Sequence, residues 1–322
     1  MAESAAIPYL SEDEAGSLVT LPMLLRAAER FFSGPERPPL REEASAGDFR
    51  LLTGGEDGLL LTGWLRPDGG AGVLCAAERE SGAPRLLLPL RPLLQLAART
   101  GHSLLAASRL CRRPPRHIAF LGSGPALLQS VSAFDALFEP NCINIFCGDR
   151  AGVERCRALL HTRVESPVYF SRTTKEAVAA ADLIICGGEE QPPALLAEWL
   201  APGVTIVACT LHNALPPELP GQLDKWVLGC RDFDLPRLRA VPGLSPAGEK
   251  TIRGDLAGLL SGALPGRETE EESILYTHDG AVGLALPLAA EICRAYFAQR
   301  QADRAKTSKH DSEKRKSLWV SE

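Results

Sequence analysis

The feature that most constrains the fold is a regular alternation of short apolar runs and longer amphipathic segments between residues 117 and 209. The predicted strands are the apolar runs at 117–121, 142–147, 168–170, 183–186 and 205–209. Alternation at this spacing is typical of right-handed βαβ crossovers, which build a parallel sheet covered by helices on both faces. The sequence therefore predicts an α/β protein whose Rossmann-type parallel sheet domain spans residues 113–284.

The flanking regions have different patterns. Residues 49–88 contain short strand-like stretches between glycine-rich turns, which predict a smaller β-rich domain within 1–112, and a helix is predicted over 93–110. A last helix is predicted over 285–304. Residues 305–322 are charged and lack apolar periodicity, so we expect a disordered tail there.

Composition excludes several classes of protein. The net charge of −5 gives no general attraction to nucleic acid or to anionic lipid. No apolar run approaches the ~18 residues of a membrane span, and no signal-peptide pattern begins the chain, so we expect a cytoplasmic protein with neither nucleic-acid nor membrane partners. The nine cysteines lack metal-binding spacing and are interpreted as structural thiols, with no metal site expected.

A candidate dinucleotide site follows the first strand of the alternating region. There a strand, a GxG turn and a helix start would cradle a pyrophosphate, because free backbone N–H groups and the helix dipole point at the anion. The candidate cofactor-binding residues of this turn are Gly122, Ser123, Gly124, Pro125 and Ala126. Leu127 occupies the third glycine position of the fingerprint, which is therefore incomplete.

The end of the second strand bears on the choice of cofactor. NAD enzymes place an acidic side chain there, whereas an arginine accommodates the 2′-phosphate of NADP. Cys147 stands at the usual acidic position, with Asp149 and Arg150 after it. This favours NADPH, with NADH still possible through Asp149; alternatively, Asp149 and Arg150 only cap the next helix.

An ordered set of motifs extends over most of the chain, from Tyr9 to Tyr296. The motifs are Arg99-Thr-Gly-His, Ala181-Asp-Leu-Ile-Ile, Trp199-Leu-Ala-Pro-Gly and Gly254-Asp-Leu-Ala-Gly-Leu-Leu-Ser-Gly. In this set the chain resembles the ornithine cyclodeaminase/mu-crystallin family.

The resemblance implies a substrate-binding and dimerisation domain, formed by 1–112 and a returning helix at 285–304, beside the dinucleotide-binding domain at 113–284. It implies a homodimer, which the short strands of the first domain also favour. It also implies that Arg41 and Arg99 bind the carboxylate of a small substrate, a task that suits the guanidinium fork. As alternatives, Arg41 could be a surface residue and Arg99 could bond helix-end carbonyls.

Two departures from the family bear on activity. No lysine precedes Lys175, although cyclodeaminases use one in the first domain, and His212 stands near the position of their aspartate. His212, His102 and His278 are therefore the catalytic candidates, since histidine exchanges protons near neutral pH.

The sequence thus favours an NAD(P)H-dependent reductase or dehydrogenase of a small α-imino or α-keto acid, with secondary metabolism suggested by the drift of the family's catalytic residues. Two alternatives stay open. One is a non-catalytic NADP- or ligand-binding protein of the mu-crystallin type. The other is a cyclodeaminase or amino-acid-condensing enzyme that recycles its NAD.

Overall fold

The computed structural model describes residues 6–33, 43–45, 49–56, 58–65, 72–93, 99–122, 125–148, 150–187, 194–209, 215–239, 246–278, 280 and 282–318. Two compact units share the chain. The antiparallel unit consists of 1–20, 40–92 and 286–322, and the parallel unit consists of 21–39 and 93–285. Residues 21–39 and 93–112 thus group with the parallel sheet rather than with the first domain as predicted, because the helices that they carry pack on each other and on that sheet.

A five-stranded meander forms the antiparallel unit. Its strands, in both chain and spatial order, are β1 (Glu43–Ser45), β2 (Phe49–Glu56), β3 (Leu59–Leu65), β4 (Val73–Glu78) and β5 (Pro84–Pro89). Side chains alternate between the two faces of a strand, so one face can be buried while the other meets solvent. The buried face carries Leu52, Leu61, Leu74, Ala76, Leu86 and Leu88.

The helices described in this unit are α1 (Glu12–Leu18), α3 (Leu90–Leu93) up to Pro92 and, from Leu286 onward, α11 (Ala285–Leu318). A capping box between Ser11 and Glu14 begins α1. α11 continues through residues expected to be disordered. Its first turns are anchored by buried apolar side chains, and the strong helix formers that follow can extend an anchored helix without an apolar face of their own.

The parallel unit holds an eight-stranded sheet. Its strands are β6 (His117–Leu121), β7 (Cys142–Phe146), β8 (Val168–Phe170), β9 (Leu183–Cys186), β10 (Thr205–Ala208), β11 (Lys225–Leu228), β12 (Ile252–Asp255) and β13 (Ile274–Thr277). The spatial order is β12-β11-β13-β10-β9-β6-β7-β8 with every pair parallel. The five predicted strands are present, three more extend the sheet, and the predicted α/β class is confirmed.

The helices of the parallel unit are α2 (Leu21–Ser33), α4 (His102–Leu110), α5 (Pro125–Phe138), α6 (Arg150–Leu160), α7 (Thr174–Val178), α8 (Arg231–Arg239), α9 (Pro246–Lys250) and α10 (Leu256–Leu260). Within the helix predicted over 93–110, Arg99–Gly101 form a π-type turn and α4 follows from His102, while 94–98 lie outside the described residues. Within the described ranges, no helix has both the length and the apolar character needed to cross a membrane.

The strand order of the parallel sheet indicates where a ligand would bind. From β6 the sheet grows toward β7 and β8 on one side and toward β9 and β10 on the other, so its direction reverses between β6 and β9. In open α/β sheets, ligands bind outside the carboxyl ends of the strands at such a switch point. The strands β9, β10, β11 and β13 are buried along their whole length, so side chains that could contact a ligand are expected just after their carboxyl ends.

Candidate dinucleotide and substrate site

Two glycines meet at the switch point. Gly122 follows β6 with φ +134°, and a Cβ at this position would lie 2.0 Å from the carbonyl oxygen of Gly187, which follows β9. The Gly122 N–H donates to Phe146 O at 3.0 Å, and the Gly187 N–H donates to Leu121 O at 3.2 Å. Only glycine permits this φ and this approach of two backbones.

The turn leads into a helix, as the sequence predicts. α5 begins at Pro125, with Ala126 in its first turn, while Ser123 and Gly124 lie outside the described residues. Leu127, at the third glycine position, is buried, and its Cδ atoms lie 3.1 and 3.6 Å from where Cβ atoms of Gly122 and Gly187 would be. Gly122, three residues before the N-terminus of a 14-residue helix, leaves the end of β6 without a side chain, which fits a pyrophosphate.

The end of β7 differs from expectation. The Cys147 side chain is buried, with Sγ 3.5 Å from Gly122 O and 3.3 Å from Cys156 Sγ, so it packs beneath the turn instead of facing a ribose. Arg150 is exposed at the first position of α6, and Asp149 lies outside the described residues.

A buried polar cluster occupies the neighbouring strand ends. Ser103, in the first turn of α4, has its Oγ 2.8 Å from His278 Nε2 and 3.3 Å from Cys209 Sγ. Cys209 follows β10 and is half-buried, whereas Ser103 and His278 are fully buried. The cluster therefore reaches the carboxyl edge of the sheet through the thiol.

Cys209 is also next to the glycine pair. A Cβ at Gly187 would lie 3.3 Å from Cys209 Cβ and 3.7 Å from Cys209 Sγ. The ends of β6, β9 and β10 thus bring Gly122, Gly187 and Cys209 side by side.

His278 is held as a neutral ring. Its Nδ1 accepts the Gly280 N–H at 3.1 Å, so the proton of the neutral imidazole is on Nε2, which donates to Ser103 Oγ. Burial, reinforced by the Arg99 charge, lowers the pKa of His278 to about 3. A ring with this pKa is neutral near pH 7 and carries a single ring proton, which is donated to Ser103 Oγ.

His102 is part of the interior. Its ring centroid lies 4.0 Å from that of His278 and 4.6 Å from that of Phe32, and its Nε2 lies 2.5 Å from Tyr276 OH. Burial, with nearby Asp234 second, raises the pKa of Tyr276 well above its ordinary value. The rings of His102 and Tyr276 therefore pack against the ring of His278 in the protein interior.

Arg99 is exposed, in the turn before α4. Burial raises the pKa of the Cys209 thiol, whereas the Ser103 hydrogen bond and the Arg99 charge oppose that shift. The same guanidinium acts on His278. The positive charge of Arg99 therefore acts on Cys209 after β10 and on His278 after β13.

Two predicted site residues, Arg41 and His212, lie outside the described residues. Within the described ranges, no group of three His, Cys, Asp or Glu residues could hold a metal ion.

Comparison with known proteins assigns the family. Residues 71–287, more than half of the chain, match the model of the ornithine cyclodeaminase/mu-crystallin family. The chain belongs to this family. The resemblance inferred from the motifs is thereby confirmed.

Solved structures with the same fold cover nearly the whole chain. A Thermococcus litoralis Δ1-pyrroline-2-carboxylate reductase in complex with NADH and L-proline is similar with a TM-score of 0.74 and 17% identity, over 91% of this chain and 98% of that one. An archaeal alanine dehydrogenase dimer with bound NAD has a TM-score of 0.72 and 17% identity, over 91% and 97% of the two chains. The iminosuccinate reductase of Paracoccus denitrificans in complex with NAD+ has a TM-score of 0.69 and 15% identity, over 91% and 97%. Comparison with curated protein sequences gives no match.

Within this family member, sequence reasoning missed three residues of the site: Ser103, Gly187 and Cys209. Ser103 follows Arg99 by four positions, the spacing that places two side chains on one side of a helical segment. Cys209 ends an apolar run and was interpreted as a core thiol, but the last residue of a parallel strand also borders the ligand edge.

Proposed function

We propose that this protein is a nicotinamide-dependent reductase of a small α-imino or α-keto acid. The observation that carries the proposal is the juxtaposition, at one carboxyl edge, of the Gly122–Gly187 turn, the Cys209 thiol and the charge of Arg99. The pyrophosphate would be held by the Gly122 turn and the start of α5, and the dinucleotide would supply a hydride.

Arg99 is proposed to bind the substrate carboxylate. An exposed guanidinium whose field reaches Cys209 and His278 is suitably placed for an anion at the ends of β10 and β13. Its donor fork matches two carboxylate oxygens. Arg41 is proposed as a second carboxylate ligand.

The similar structures support a reductase. Two carry the names of reductases for small imino acids, Δ1-pyrroline-2-carboxylate and iminosuccinate, and the first of these holds L-proline beside NADH. Because their identity to this chain is low, they support the choice of substrate class and do not identify the substrate.

NADPH is the proposed cofactor. Arg150 follows the β7 turn, begins α6 and is exposed, so it can meet a 2′-phosphate. Arg150→Ala is expected to weaken NADPH binding by roughly tenfold or more and NADH binding little, since a charge-assisted hydrogen bond contributes ~1.5–3 kcal/mol.

Calorimetric titration of both cofactors tests this choice. The matched control is Arg155→Ala, which removes the same charge from an exposed position of the same helix and should leave both affinities unchanged. Equal losses for NADPH and NADH in Arg150→Ala would contradict selection by Arg150.

We also propose a homodimer that forms through the outer face of the antiparallel sheet, opposite its buried face. Leu60, Trp64 and Val73 are 43%, 47% and 37% exposed there, and Trp64 pairs with Val73 across neighbouring strands. Exposed large apolar side chains on one face of a sheet are typical of a protein–protein contact. The dimeric state of the archaeal alanine dehydrogenase supports the proposal.

A further inference from the structure

The fully buried Ser103 and His278 form a directed hydrogen-bond chain with the half-buried Cys209. His278 Nδ1 accepts from Gly280 N–H, so Nε2 donates to Ser103 Oγ at 2.8 Å. Cys209 Sγ, 3.3 Å away, can then receive the hydroxyl proton of Ser103. With Ser103 as the donor to Cys209 Sγ, the S–H of Cys209 is not used within this hydrogen-bond chain and can be donated to another group.

We propose that Cys209 is the proton donor of the reaction and that Ser103 and His278 are its positioning residues. This inference rests on the proposed reductase function. The family's lysine is missing from the first domain here, and the Cys209 thiol is adjacent to the dinucleotide turn through Gly187.

Reduction of a C=N or C=O bond needs a hydride at carbon and a proton at nitrogen or oxygen. The S–H bond of Cys209 breaks, its electron pair stays on sulfur, and the proton goes to the substrate nitrogen or oxygen. Water returns a proton to the thiolate after the product leaves.

The surroundings of Cys209 suit this step. Burial keeps the thiol protonated by raising its pKa, and the thiolate formed by proton transfer is stabilised by the Ser103 hydroxyl and by the Arg99 charge. A reduced nitrogen becomes as basic as an alkylamine, with a pKa of about 10, so it draws the proton as the reduction proceeds. The ionisable groups that interact with this thiol within the described residues are Arg99, Cys186 and Tyr276, with His278 behind Ser103.

The first test measures NADPH oxidation with a panel of cyclic imino acids and α-keto acids. Cys209→Ala is expected to lower kcat by roughly a hundredfold or more, the effect of losing a general acid, while NADPH affinity changes less than about twofold. Cys209→Ser, whose hydroxyl is a weaker acid, should fall between Cys209→Ala and wild type. The control is Cys142→Ala at the opposite, amino edge of the same sheet, which should retain wild-type kcat.

The second test needs no turnover. Iodoacetamide alkylation of the cofactor-free protein is followed by peptide mass spectrometry across a pH series. Because the thiolate reacts, Ser103→Ala should slow alkylation of Cys209 by roughly three- to tenfold at a given pH and move its profile to higher pH, with Cys142 unaffected. Saturating NADPH should protect Cys209 and leave Cys142 reactive.

The outcomes separate the two proposals. If wild type neither binds nor oxidises NADPH, the proposed function fails. If Cys209→Ala oxidises NADPH with wild-type kcat, the function stands and the proton donor lies elsewhere. If the alkylation profile is the same in Ser103→Ala, the positioning role of Ser103 is overturned.

Discussion

At the scale of single residues, Gly122 is tightly constrained by the backbone that follows β9 and by its own φ. Gly122→Ala would place a Cβ against Gly187 O at a φ of +134°. We expect at least tenfold weaker NADPH binding, together with a stability loss of about 1–3 kcal/mol from the backbone strain. Calorimetric titration and denaturant unfolding measure the two effects.

Gly82→Ala is the matched control for this substitution. Gly82 has a φ of +68°, but a Cβ there would have nothing within 4 Å. Because alanine is strained at a positive φ, Gly82→Ala should lower the free energy of unfolding by about 1 kcal/mol. Its NADPH affinity should equal that of wild type. Wild-type affinity in Gly122→Ala would show that the cofactor binds elsewhere.

His278 makes stability depend on pH. Its pKa is about 3 in the folded protein and about 6.5 in the unfolded chain, so the unfolded chain binds the proton more readily. The contribution of His278 to stability is therefore complete above about pH 6.5 and is lost as the pH falls toward 3, at up to about 1.4 kcal/mol per pH unit.

Denaturant unfolding at a series of pH values checks this dependence. His278→Gln keeps an N–H for Ser103 and should remove most of the slope between about pH 6 and pH 4. His161→Gln, at an exposed position, should retain the wild-type slope. An unchanged slope in His278→Gln would mean that His278 is not buried as a neutral ring.

At the scale of elements, apolar periodicity predicted five strands of the parallel sheet, but it did not predict the polar and charged residues that the strands carry. The five strands from β6 to β10 follow from apolar runs alone, and β9 and β10 are apolar but for Thr205 because they are buried along their whole length. β11 carries the buried Lys225, whose Nζ lies 2.8 Å from Glu268 and 2.9 Å from Glu272. A lysine interrupts the apolar run by which a buried strand is recognised in a sequence. The two glutamates that allow Lys225 to be buried lie about 40 residues further along the chain, so the sequence pattern does not reveal them.

The cluster at the strand ends could not be predicted for a similar reason. Ser103, Cys209 and His278 are brought together by long-range packing of α4 on the sheet, and no spacing in the sequence encodes it. The carboxylate-binding role of Arg99 comes from a family motif and stays a prediction.

The C-terminal half of α11 gives a prediction at this scale. A chain that ends after Arg304 should lose helical circular dichroism corresponding to residues 305–318, because the structure continues the helix to Leu318. Its melting temperature should change little, since residues 301–303 and 305–307 are exposed. An unchanged helical signal per molecule would instead support the disordered tail expected from the sequence.

At the scale of the whole molecule, the outer face of the antiparallel sheet should govern assembly. Trp64→Glu places a charge in the proposed interface and should weaken a homodimer by at least tenfold, as expected for a central aromatic residue. Sedimentation velocity measures the change. Tyr169→Glu, which replaces a 56% exposed aromatic residue of β8, is the control and should dimerise like wild type. Equal dimerisation of Trp64→Glu and wild type would place the interface elsewhere.

We propose that a small acid is reduced at the edge formed by Gly122, Gly187 and Cys209, with a hydride from a nicotinamide. Net oxidation of NADPH by the purified protein, with the panel of cyclic imino acids and α-keto acids plus an amine, tests this proposal. We expect at least one member of the panel to be reduced, with one amino or hydroxy acid formed for each NADPH consumed. Tight NADPH binding without oxidation by any member of the panel would overturn the proposed reductase and favour a ligand-binding protein.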